Sequence, residues 1–75
     1  MKVSAQNYLK GRVTYFGYSY KRLSALLGIS TGSLCEKINS PEKMRLKELN
    51  DLAKYLKIPE GNLGAIVKGE KIEIE

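Results

Sequence analysis

The chain contains no histidine and a single cysteine, Cys35. One thiol cannot close a disulfide within the chain, and without imidazoles it cannot assemble a structural zinc site. General acid–base chemistry at neutral pH loses its usual residue. No nucleophile stands beside a base, no carboxylates are paired at catalytic spacing, and no phosphate-binding loop occurs, so the residues give no support for an enzyme. Nothing calls for a cofactor, a metal or a small-molecule effector. No apolar run is long enough for a signal peptide or a membrane span. A lone cysteine suits a reducing compartment, and the expectation is a cytoplasmic protein.

What is present is short and basic. Seventy-five residues make one domain near the lower limit of independent folding. With disulfides and metal excluded, tight helix packing and a partner subunit remain as sources of stability. The formal charge is +5, and it is uneven. The tail from Glu70 to Glu75 holds three of the eight acids and one of the thirteen bases, which leaves +7 on the rest. A basic body of this kind suits a polyanion, although a lysine-rich soluble surface has the same composition.

Five helical segments can be read. Ala5, Tyr8, Leu9, Arg12, Val13 and Phe16 share one face of a helix from Ser4 to Phe16, with Ser4 as cap and Gly17 as stop. Ser19 caps a second helix to Leu27, with Tyr20, Leu23, Leu26 and Leu27 apolar and Gly28 past its end. Ser30 caps a third, which runs to Ile38 and turns Leu34 and Ile38 inward. A polar loop with Pro41 follows. The fourth helix covers Leu46 to Leu56, with Leu46, Leu49, Leu52, Ala53 and Leu56 inward. The fifth covers Pro59 to Lys68, with Leu63, Ile66 and Val67 packing and Pro59 in its first turn. The tail Lys71-Ile72-Glu73-Ile74-Glu75 alternates as a strand does. A helical domain offers such a strand nothing to pair with in its own chain. It either frays or pairs with the same strand of a second subunit.

The segment Ser19 to Ile38 is the informative one. Two short capped helices are joined by a tight turn, Gly28-Ile29-Ser30, which is a helix-turn-helix. Ile29 plugs the corner, Leu23, Leu27 and Leu34 fix the angle, and the polar side of the second helix stands free. Leu23-Ser24-Ala25-Leu26-Leu27-Gly28-Ile29-Ser30 resembles the Leu-Ala-x-x-Leu-Gly-hydrophobic-Ser pattern of the phage repressor/Cro-type helix-turn-helix family, with serine for the usual alanine. Ser33-Leu34-Cys35-Glu36-Lys37-Ile38-Asn39, Met44-Arg45-Leu46-Lys47-Glu48-Leu49 and Leu56-Lys57-Ile58-Pro59 resemble later segments of the same family. The likeness runs from Ser4 to about Gly69.

The resemblance implies an all-α fold, a compact five-helix lambda-repressor-like domain over residues 1–69. It stops before the acidic tail, 70–75, whose alternation alone offers a short C-terminal strand as a candidate for dimerisation. It implies a transcriptional regulator, a repressor more readily than an activator, that binds double-stranded DNA as a homodimer. The helix at about 31–38 would enter the major groove, which is about 12 Å wide. Thr31, Gly32, Cys35, Glu36 and Lys37 are then the candidates for base contacts. Thr31 offers a hydroxyl and a methyl, and Gly32 a close backbone approach at a cost in helix stability. Glu36 can accept from cytosine N4 or be a solvated charge. Ser19 and Tyr20 would meet the DNA backbone at a helix N-terminus, although Tyr20 can equally pack against the first helix. Lys10, Arg12, Lys21, Asn39, Lys43 and Arg45 are further phosphate candidates. Arg45 stands where the family has a capping serine, three residues before Glu48. It either grips a phosphate or marks a helix that starts elsewhere.

A protein-interaction or antitoxin-like module on the same fold is the competing reading. Base readout most often uses Arg, Lys, Asn or Gln, and the third helix offers only Lys37, with Asn39 at its end. An RNA binder is disfavoured, since the tyrosines form no stacking platform.

Overall fold

The computed structural model describes residues 1–74. In chain order the elements are β1 (Lys2–Val3), α1 (Ala5–Tyr15), α2 (Tyr20–Leu27), α3 (Thr31–Asn39), a 3-10 turn (Pro41–Lys43), α4 (Leu46–Leu56), α5 (Glu60–Lys68) and β2 (Ile72–Glu73). The fold is the expected five-helix body with one addition, a two-stranded antiparallel sheet made by the two ends of the chain.

The helices begin where the serines stand. The hydroxyls of Ser4, Ser19 and Ser30 accept the N–H groups of Asn7, Arg22 and Ser33 at 3.2, 3.1 and 3.1 Å. Each satisfies one of the backbone donors that a helix start leaves open. Gly28 ends α2 at φ 71°, a left-handed conformation that glycine adopts without a Cβ penalty. Lys57 ends α4 in the same region, at φ 51°, and is the one non-glycine residue described there.

Every helix contributes to a single core. Leu9, Leu23, Leu34, Ile38, Leu49, Leu52, Leu56 and Ile66 are fully buried, and Ile72 joins them from the tail. Pro41, in the 3-10 turn, is buried as well.

Three apolar positions depart from the helical pattern. Leu26, Leu46 and Val67 are exposed. In α2 the inward place goes to Ser24 instead, whose hydroxyl donates to Lys21 O at 2.9 Å and lies 3.2 Å from Thr31 Oγ1. A small hydroxyl that satisfies itself locally lets α3 come close, and Leu26 is displaced to the side. Leu46 is the first residue of α4, one turn before the stripe Leu49-Leu52-Leu56 finds neighbours. Val67 follows the buried Ile66 and turns outward.

The tail finds its partner in its own chain, contrary to the sequence expectation. Lys2 is opposite Glu73 and Val3 opposite Ile72. Ile74 N–H donates to Met1 O at 2.8 Å, and the terminal ammonium meets Glu73 Oε1 at 2.9 Å. Two residues at the start of the chain show no alternation, so nothing in their pattern announces a strand. Glu75 lies outside the described residues.

Candidate nucleic-acid interface

The candidate site is built on α2 and α3. α3 buries Leu34 and Ile38 and leaves Thr31, Gly32, Glu36 and Asn39 exposed, with Cys35 and Lys37 half-buried. At 100° per residue, Glu36 falls opposite the buried pair and Gly32 within about 40° of that direction. The outer face of α3 is therefore narrow, polar and nearly bare, a shape that fits a major groove.

The candidates for base contact occupy different places on that helix. Thr31 is exposed at the first position of α3, and its hydroxyl is already within reach of Ser24 Oγ. A hydroxyl has capacity for a further bond. Gly32 has open space around it, with nothing within 4 Å of where a Cβ would stand and no left-handed φ. The fold itself therefore does not require glycine there. Glu36 is exposed and has no ion-pair partner among the described residues. Cys35 is half-buried on the flank, 3.7 Å from the Asn39 amide nitrogen. Lys37 is turned to the side, where its ammonium pairs with the Glu48 carboxylate.

The candidates for phosphate contact divide in a similar way. Ser19, Lys21, Lys43 and Arg45 are exposed and bracket α3 in the chain, the first two at the start of α2 and the others between α3 and α4. Lys10 is exposed on α1. Tyr20 is half-buried against the core. Burial raises its phenol pKa, and the electrostatic influence of Cys35 adds to the shift. It stays a neutral hydrogen-bond donor at neutral pH. Asn39 accepts from the Gln6 amide at 3.0 Å and so ties the end of α3 to the start of α1.

Arg12, a phosphate candidate by its charge, has its guanidinium engaged within the fold. Its Nε and Nη2 donate to Leu56 O at 3.0 and 2.7 Å, and Nη2 also reaches Lys57 O at 2.7 Å. The guanidinium lies 5.0 Å from the Phe16 ring centroid and near Tyr8 and Tyr15. It binds the last carbonyls of α4, where the helix dipole favours a cation.

Arg45 is the residue that precedes α4, with extended backbone at ψ 150°. The helix starts where the resemblance places it, and half of the capping box survives. The Glu48 carboxylate accepts Arg45 N–H at 3.0 Å. The other half is missing, because a guanidinium has no acceptor atom to offer. The Arg45 side chain is therefore left to solvent.

Two roles at the site went unread in the sequence. Gln6 positions Asn39, and Glu48 holds Lys37. Glu48 had a local signal, its capping position, but its second partner lies across the loop. Gln6 had none.

Two helices joined by a glycine turn, the second with a free polar face, define a helix-turn-helix domain. The family model of the Cro/C1-type HTH DNA-binding domain matches residues 16–69, and the chain belongs to that family. No curated protein and no solved structure matches it. Among the described residues no helix is long and apolar enough to cross a membrane, and no cluster of side chains is suited to hold a metal ion.

Proposed function

We propose that the protein is a sequence-specific transcriptional regulator, most simply a repressor, that places the outer face of α3 in the major groove of double-stranded DNA. The observation that carries this reading is the bare polar face of α3, with Gly32 and Glu36 outward on a helix anchored by Leu34 and Ile38. Thr31, Gly32, Cys35 and Glu36 are the proposed contacts to bases, with Lys37 taken up separately below. Ser19, Tyr20, Lys21, Lys43 and Arg45 are the proposed contacts to phosphate, with Lys10 and Asn39 at the margin. The phosphate set supplies register and most of the affinity, and the base set selects the site. Two copies on a palindromic operator, in the cytoplasm, complete the proposal. Family membership and the net charge of +5 support it.

The test is binding to random-sequence duplex DNA by fluorescence anisotropy over a salt series, with molar mass by light scattering in parallel. Micromolar binding that weakens steeply with salt is expected. Arg45→Ser, which also restores a capping hydroxyl, is expected to flatten the salt slope by about 0.9 while leaving the fold intact. Absence of binding at low salt would favour the protein-interaction or antitoxin-like reading, to be followed by a search for a protein partner.

A further inference from the structure

α3 carries one cation, Lys37, and one anion, Glu36. Lysine at a reading position normally selects guanine, by donating to O6 and N7. In this chain Lys37 is not presented that way. Its ammonium pairs with Glu48 Oε2, while Glu48 Oε1 accepts the Arg45 backbone N–H at 3.0 Å. Both oxygens of Glu48 are thus in use, one on each side of the loop that links α3 to α4.

Three features hold the pair in place. The Lys37 and Glu48 side chains are only 23% and 28% exposed, so salt screens the pair less than an open surface contact. Lys37 lies in the last turn of α3 and Glu48 in the first turn of α4, where the two helix dipoles favour a cation and an anion respectively. Lys37, Glu48 and Asp51 line one small cavity together with apolar residues that include Leu27, Leu34 and Leu52, so a second carboxylate adds to the hold on the ammonium. Taking Lys37 to DNA would remove it from that lining and leave the Glu48 carboxylate short of its cation near the phosphates.

We propose that Glu48 is a positioning residue for DNA reading: it withholds Lys37 from the groove and leaves Glu36 as the one charged side chain that α3 offers to bases. The inference rests on the DNA-binding reading and deepens it. An acceptor-only charged group favours cytosine, through its N4 amino group, and no guanine is selected by Lys37.

The experiment compares wild type, Lys37→Met, Glu48→Gln and the double variant in two readouts, the salt slope of binding and the sequence selected from a random duplex pool. Glutamine keeps an oxygen for the Arg45 N–H, so only the ion pair is removed. Lys37→Met is expected to keep the wild-type slope and the wild-type selected sequence. Glu48→Gln is expected to steepen the slope by about 0.9, the increment for one further phosphate contact, or to add a preference for guanine. The double variant is expected to return to the wild-type values. A Lys37→Met protein with a flattened slope or a lost base preference would overturn the proposal, because Lys37 would then contact DNA in the wild type. So would a double variant that keeps the steeper slope. The carboxyl carbon shift of Glu48, followed by NMR as duplex is added to wild-type protein, gives a readout that depends on no variant, and a large change would also overturn the proposal. Failure of the wild type to bind any duplex is a distinct result, and it would remove the DNA reading itself.

Discussion

A methyl group at Gly32 would meet nothing in the free protein. Alanine is the better helix former by about 0.5–1 kcal/mol, so Gly32→Ala is expected to raise stability by that amount in urea unfolding. If the backbone at Gly32 lies against DNA, the same variant is expected to bind specific DNA at least tenfold more weakly. A stabilised protein with unchanged affinity would remove Gly32 from the interface. Arg12 gives the converse case. Arg12→Met gives up three hydrogen bonds to the end of α4 and is expected to cost about 2 kcal/mol, in line with bonds from charged donors. The salt slope for DNA should not move. The sequence placed Arg12 correctly on the inner face of α1, yet its charge also made it a phosphate candidate. Its real partners are carbonyl groups 44 and 45 residues away, and no local pattern records them. The pairing of Lys37 with Glu48 was hidden for the same reason. The position of Lys37 on α3 could be read, but its partner across the loop could not.

At the scale of elements, what the sequence disclosed followed from local chemistry. Ser4, Ser19 and Ser30 announced three helix starts, and Gly28 the end of α2. Nothing crowds a Cβ at Gly28, and its φ is 71°, so the cost of a side chain there is backbone strain alone. Gly28→Ala is expected to lose about 1–2 kcal/mol, read in urea unfolding. The sheet was hidden because pairing is not a local property. Ile72 is only 1% exposed, and its strand is held by residues at the opposite end of the chain. Ile72→Ala is expected to lose roughly 3 kcal/mol, within the range for large-to-small core changes. In a domain this small that is a large part of the total stability, and thermal unfolding followed by circular dichroism would show it. A tail that merely frayed would give no change.

Over the whole molecule, the charge and the fold point to the same partner. The net charge of +5 and exposed cations on either side of α3 suit a duplex whose phosphates bind proteins with strong salt dependence. The helix proposed to read bases, α3, is weakly armed, with Lys37 held by Glu48 and Glu36 facing outward. On this account affinity comes mainly from the flanks, and specificity from a few contacts at the centre. The most direct test is a titration of isotope-labelled protein with duplex DNA, following each backbone amide by NMR. Shifts gathered at residues 19–21, 31–36 and 43–45, with α5 and the sheet unmoved, are the predicted result. Shifts concentrated on α5 or the sheet, with α3 unaffected, would contradict the placement of α3 in the groove.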